Sequence, residues 1–297
     1  MKQCTVISDS TSDLSAQLAA TKEIEIIPFH FSDSKQTFSG DDDLFQSVSV
    51  EDFYGAVRSG LDLMTSQPSQ LEYEECFERI LESKVPALVF CISSGISGGY
   101  EGARTALDRI TRDHPEAPEY IYIIDTLLAS TPMQLLVLEA CNKRDEGMSA
   151  AEIYAWALEA RWQIQTLFMV EDLDALHRGG RIPKGVALAG GKLNVKPLLN
   201  FDLEGKLKLI GVARGRKKAL DKLARNYLEN RSHEPLGNLV AIGDADVAAD
   251  GDGLVEQLQA SLSELTAVRS TIGPTIACHV GAGMVSCCFW GKDRRAA

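Results

Sequence analysis

Ala87-Leu88-Val89-Phe90-Cys91-Ile92-Ser93, continuing into Ser94-Gly95-Ile96-Ser97-Gly98-Gly99-Tyr100, is an apolar run that stops at a hydroxyl- and glycine-rich loop. Nothing polar alternates through the run, so both faces of the strand must be covered, as in a parallel sheet. The loop then opens a helix, whose start offers unpaired N–H groups and partial positive charge to an anion. Cys4–Ser8, Ile24–Phe31 and Tyr120–Asp125 read as further strands of the same kind. Ser69 with Glu72, ahead of Tyr73, Phe77, Ile80 and Leu81, forms a capping box before a helical apolar stripe. Ser149 with Glu152 repeats the device before Ile153, Trp156 and Ala160. This alternation is βαβ and predicts an α/β fold, with a doubly wound parallel sheet over residues 1–164.

Residues 165–297 follow another pattern and predict an α+β domain with a mixed sheet. Thr166–Val170 reads as a strand and Asp172–His177 as a short helix stopped by Gly179-Gly180. Val195–Phe201 and Lys206–Ala213 flank Asp202-Leu203-Glu204-Gly205, a β-hairpin signal. A basic helix is predicted from Arg216 to Asn230 and a strand at Leu239–Ile242. Asp244–Asp252 is expected as a solvated acidic loop leading into a helix that ends near Ala267. Thr275–Val280 and Met284–Trp290 read as closing strands around Gly281-Ala282-Gly283, and Gly190-Gly191 as a turn.

Composition narrows the function classes. Of 297 residues, 45% are hydrophobic and 24% charged, an ordinary globular balance. No apolar run approaches the ~20 residues that span a bilayer, and Asp9 interrupts any leader-like start, so a cytoplasmic protein is expected. A net charge of −12 argues against nucleic acid as a partner. Two basic stretches stand against it, His177–Lys184 and Arg214-Gly215-Arg216-Lys217-Lys218, either solvated helix ends or a docking surface. Of seven cysteines, without a Cys-x-x-Cys, Cys4, Cys91, Cys278, Cys287 and Cys288 lie in apolar, strand-like runs and read as small buried hydrophobes, which argues against a zinc site or disulfide framework. Neither a metal nor a cofactor is expected.

Four loops gather hydroxyls or acids: Asp9-Ser10-Thr11-Ser12, Thr65-Ser66-Gln67, Ser93–Ser97 and Asp125-Thr126. Each alone serves as a helix cap or turn. Together, at the carboxyl ends of strands, they point to a site for a carboxylate or phosphate. Gly95-Ile96-Ser97-Gly98-Gly99 also matches the G-x-S-x-G elbow, with Asp125 and His279 in hydrolase order. Against it, Ser93-Ser94 separate the strand from the turn and no oxyanion segment precedes them. The acidic Asp244–Asp252 stretch fails the calcium-loop register, and no P-loop occurs. His279, read in a strand before Gly281-Ala282-Gly283, is placed to donate to a carboxylate.

These pieces, in order, resemble the DegV family, the fatty-acid-binding subunits of bacterial fatty acid kinase. The matching segments are Ser8–Leu14, Thr65–Ser69, Ser93–Gly98, Asp125-Thr126, Leu176–Ile182, Asn194–Leu199, Lys217-Lys218-Ala219, and His279 with Gly281 and Gly283. Three positions depart from the family pattern: Met64 for a threonine, Gly99 in S-G-T-Y, and Ala282 in H-x-G-P-G. The resemblance implies a DegV-like two-domain fold whose apolar tunnel encloses one long-chain fatty acid. It implies that the carboxylate is held by Thr65 or Ser66, by Ser93 or Ser94 beside Gly95, and by His279, with Arg181 near the mouth. It implies no chemistry in this chain alone. It implies a partner, a kinase subunit related to dihydroxyacetone kinase, and leaves room for transient membrane contact; the basic cluster of Arg214, Lys217 and Lys218 on an acidic chain is the docking surface expected for such a partner. Tail burial at ~0.8 kcal/mol per methylene supplies affinity, so the head group needs only neutral donors. A serine hydrolase using Ser97, or a dihydroxyacetone-kinase-like protein binding a carbonyl at His279, are the alternatives.

Overall fold

The computed structural model describes residues 3–183, 185 and 194–296. Lys184 and the Gly190-Gly191 turn lie outside the described residues. The parallel sheet is built from β1 (Thr5–Asp9), β2 (Ile24–Ile27), β6 (Ala87–Cys91) and β7 (Ile121–Asp125), in the order β2-β1-β6-β7. β6 is buried along its whole length, as its unbroken apolar run requires. The predicted Ile24–Phe31 strand is two strands. Pro28 has no N–H for a ladder, and beyond it the chain turns into β3 (His30–Asp33) of a separate antiparallel sheet with β4 (Ser39–Asp41) and β5 (Leu63–Ser66), ordered β4-β3-β5.

Helices α1 (Ala16–Thr21), α2 (Val50–Arg58), α3 (Gln70–Ser83), α4 (Gly99–Ile110), α5 (Ala117–Tyr120), α6 (Thr131–Asp145) and α7 (Ala150–Ala160) complete the first half. Both expected capping boxes are present, at Ser69/Glu72 and Ser149/Glu152. α3 and α4 cover one face of the parallel sheet through Tyr73, Phe77, Ile80, Ala103 and Ala106. α6 is buried on nearly all sides because it lies between two sheets, touching β1 on one side and the second sheet on the other.

That second sheet is mixed. β8 (Ile164–Met169), β9 (Val195–Phe201), β10 (Leu207–Arg214), β11 (Leu239–Asp244), β12 (Thr266–Thr271) and β13 (Val285–Trp290) lie in the order β10-β9-β8-β13-β11-β12. Only β11 and β12 run parallel. After β8 comes the short α8 (Asp174–Arg178), and α9 (Arg216–Asn230) and α10 (Ala248–Ser261) pack on the outer face over Leu167, Val240, Ile242 and Phe289. The β9–β10 hairpin and the basic helix stand where the sequence places them.

Three expectations for this half are corrected. The helix expected to reach Ala267 ends at Ser261, and Thr266–Thr271 is a strand pairing with β11. The acidic stretch is not simply solvated: Asp244 is buried against Arg269 (2.8 Å), which also holds Asp252 (2.9 Å), and α10 begins inside it. Thr275–Val280 is a helix, α11 (Pro274–Val280), with Pro274 at its start and Gly281 at positive φ at its end. A seven-residue apolar run cannot be assigned from periodicity alone, and here distant partners decide. Cys278 accordingly sits in a helix, half-buried, whereas the other six cysteines are buried. Among the described residues no helix is long and apolar enough to cross a membrane, and no cluster of His, Cys, Asp or Glu could hold a metal ion.

Candidate functional site

The largest apolar core runs continuously from the parallel sheet to the mixed one, and a cavity opens within it. Its empty space, counted out to the mouth and including open solvent, is about 640 Å³. Phe29, Ile92, Ile96, Ala129 and Pro132 from the first half face Phe168, Leu176, Phe201, Leu207, Ile276, Val280 and Met284 from the second. An open groove lies outside, walled by Val57, Leu61, Met64, Arg178 and Cys278. Among the described residues, Thr65, Arg181 and His279 line both.

Their positions follow from local structure. On β5, Thr65 and Ser66 point to opposite faces, so Thr65 reaches the cavity and Ser66 is exposed. His279 sits in the last turn of α11, its Nε2 2.9 Å from Thr65 Oγ1. Its Nδ1 is buried without a partner and packs on Gly179, where any side chain would overlap it. Burial, reinforced by Arg181, pushes the His279 pKa down to about 4, so the imidazole is neutral at physiological pH. Arg181 donates from Nε to Ile96 O (3.0 Å) and from Nη1 to Gly179 O, fixing the guanidinium at the mouth.

α11 itself is anchored by the first half. Asp13 Oδ1 accepts from Gly273 N (2.9 Å) and Asp42 Oδ2 from Thr275 N (3.0 Å), satisfying N–H groups at the helix start. Ser130 Oγ donates to the other oxygen of Asp13, while Asp42 Oδ1 is buried without a partner. Burial raises the Asp42 pKa to about 6, that of nearby Asp9 to about 7, and that of Asp13 well above its ordinary value. Sequence reasoning takes Asp13 as part of a motif but misses this role and Asp42 entirely. Arg216 is also missed. It ties Asp250, Glu171 and the Gly283 carbonyl together, setting the loop that follows His279.

The remaining sequence candidates divide. Ser93 is fully buried and spends its proton on Gly205 O (2.8 Å). Ser94 turns away to Asp125, Oγ to Oδ2 2.6 Å. Gly95 seats the hairpin turn, and a Cβ there would stand 2.7 Å from Gly205 O. None of these three lines the cavity; Ser97 does, its Oγ accepting only from Gly99 N (3.2 Å). The hydrolase constellation is not assembled: among the described residues His279 bonds Thr65, Asp125 bonds Ser94, and neither bonds Ser97. Arg214, Lys217 and Lys218 are exposed at the β10–α9 junction and do not line the cavity or the groove.

An N-terminal parallel sheet, a mixed second sheet and a cavity lined from both define a two-sheet α/β architecture. The profile of the family described as "uncharacterised protein, DegV family" matches residues 3–292, and the chain belongs to that family. A DegV domain-containing protein of Lactococcus lactis subsp. lactis is 31% identical over 283 residues, 95% of each chain. Among solved structures, a fatty-acid-binding DegV family protein from Thermus thermophilus is 28% identical with a TM-score of 0.80, over 98% of this chain and 100% of that one. A stearic acid-binding protein from Eubacterium ventriosum superposes with a TM-score of 0.84 at 24% identity, over 98% and 99% of the two chains. The Streptococcus pneumoniae fatty acid kinase B3 protein loaded with linoleic acid gives 0.83 at 18% identity, over 98% and 100%.

Proposed function

We propose that this chain binds one long-chain fatty acid, with the tail in the cavity and the carboxylate at Thr65, His279, Arg181 and Ser97, and presents it to a separate ATP-dependent kinase subunit. The observation that carries this reading is the position of Thr65, Arg181 and His279 on the seam between an apolar cavity and an open groove. A carboxylate there has its tail shielded and its oxygens facing outward. With the His279 proton on Nε2, that N–H donates to Thr65 Oγ1 and frees the threonine O–H for the ligand, while Ser97 offers a second unspent O–H. The Arg181 guanidinium is held by the Ile96 and Gly179 carbonyls, so the hydroxyls of Thr65 and Ser97 carry the carboxylate and leave its oxygen nucleophilic enough to attack a phosphoryl group, a step this chain lacks the nucleotide loop to perform alone.

Relatives of the same fold that carry stearic and linoleic acids support the ligand class, and one of them is a fatty acid kinase protein. In this reading residues 1–164 supply the head-group loops, residues 165–297 close the cavity, and Arg214, Lys217 and Lys218 dock the kinase, related to dihydroxyacetone kinase, in the cytoplasm. A triose-sized carbonyl would leave the apolar wall unfilled. Native mass spectrometry of the purified protein, followed by ATP-dependent acyl-phosphate formation with the kinase subunit, tests both parts. A co-purified acid of fatty-acid mass that is turned over supports the proposal. An empty protein that takes up no fatty acid refutes it, and tight binding without turnover refutes the presentation step alone.

A further inference from the structure

The inner wall of the cavity is not uniformly apolar. Thr131, Thr166 and Ser286 line it together, from the first residue of α6, from β8 and from β13. Thr131 Oγ1 lies 2.8 Å from Ser286 Oγ and 3.3 Å from the Cys288 thiol, and Ser286 Oγ accepts from Gly243 N (3.1 Å). Either hydroxyl of the Thr131–Ser286 pair can donate to the other, and whichever accepts keeps its own proton for the thiol or for the cavity. Thr166 stands in register opposite Cys288 on the neighbouring strand, so the row continues across the sheet. Its Oγ1 is buried beside the Cys288 thiol, a weak partner, and makes no hydrogen bond of good geometry.

A buried hydroxyl without a partner costs about 1–3 kcal/mol, and valine would fill the same place on a strand without that cost. Three hydroxyls facing one cavity, the last of them unspent, match a ligand that brings a polar atom of its own. A plain hydrocarbon tail has none. A hydroxyl on the tail both donates and accepts, so it can take the Thr166 proton and return one to the threonine oxygen. We propose, building on the fatty-acid reading above, that the cavity selects acyl chains carrying a hydroxyl along their length, recognised by Thr166 and the Thr131–Ser286 pair.

The test is a binding series by calorimetry with octadecanoic acid and monohydroxyoctadecanoic acids whose hydroxyl is moved along the chain. It uses the delipidated full-length protein and its Thr166→Val and Thr166→Ser variants. One hydroxy isomer should bind the wild type about tenfold tighter than the unsubstituted acid, the worth of one buried hydrogen bond. Thr166→Val should erase that preference without weakening the unsubstituted acid, and Thr166→Ser should restore it. The melting temperature of empty Thr166→Val should equal or exceed that of wild type, which separates a lost contact from a damaged fold. Equal wild-type affinity for all isomers and the unsubstituted acid, or a preference that survives in Thr166→Val, would overturn the inference while leaving fatty-acid binding intact. Failure of every acid to bind would instead overturn the reading on which it rests.

Discussion

Gly179→Ala should weaken fatty-acid binding through His279 and through nothing else. A Cβ at Gly179 overlaps His279 Nδ1 and stands 3.0 Å from Cε1, and the backbone at Gly179 is otherwise ordinary (φ −70). To restore van der Waals contact the imidazole must withdraw by about 1 Å. A displacement of that size disrupts the 2.9 Å contact with Thr65, whichever way the ring moves. Thr65 then loses the partner that orients its O–H toward the carboxylate, and misplacing that donor costs up to about 1.5–3 kcal/mol, at most roughly tenfold to hundredfold in affinity. Gly180→Ala is the control: it sits at φ +75 with nothing within 4 Å, so it costs about 1 kcal/mol of backbone strain and leaves the ring in place. Calorimetric titration of both variants with one fatty acid, beside their melting temperatures, reads the difference. Wild-type affinity in Gly179→Ala, or an equal loss in Gly180→Ala, would refute the reasoning.

Folding stability should rise, not fall, on mild acidification. Asp9 and Asp42 are raised from 3.8 to about 7 and about 6, so their contribution is complete below the unfolded value and is lost as pH climbs through those folded values. His279 is lowered from 6.5 to about 4 and opposes them, its contribution being lost as pH falls through that interval. Asp13, raised well above its ordinary value, adds to Asp9 and Asp42, so the carboxylates outweigh the imidazole: unfolding free energies from denaturant titration should drop by a few kcal/mol in total from about pH 4 to 8, flatten in Asp42→Asn and steepen in His279→Gln, and a flat wild-type profile would contradict the burial argument. Arg214→Glu and Lys217→Glu should leave bound lipid unchanged while slowing acyl-phosphate formation, most at low salt; loss of lipid with normal turnover per bound acid would reassign these residues to the cavity. Ser97 should resist a fluorophosphonate probe under native conditions, and stoichiometric labelling there would revive the hydrolase.

How much was legible depends on how local each cause is. α9 and the β9–β10 hairpin carry their signals within themselves, in helical spacing and in Asp202–Gly205, and both stand as read. α11 does not. Its β-branched, apolar sequence favours a strand, and carboxylates more than two hundred positions earlier make it a helix. The same distance hides the site. Thr65 could be chosen over Ser66 only once β5 paired with β3, because alternation has no phase without a partner strand. Ser93 and Ser94 carry hydroxyls where the sequence asks for them, but Gly205 and Asp125 occupy those hydroxyls, leaving Ser97, which sequence reasoning reserved for the hydrolase.

Gly95 and Gly205 interlock: a Cβ on the first would meet the hairpin turn, and one on the second, held at φ +71, would overlap Ser93 Oγ and come within 3.1 Å of Leu127. The two halves are therefore not interchangeable modules. A chimera joining the first half of one relative to the second half of another needs small residues on both sides of this joint. It also needs a turn of matching length, whatever its overall identity. The hairpin strands that carry Phe201 and Leu207 into the cavity wall leave from this joint, so a mismatched graft would shift the lining of the cavity before it disturbed either sheet.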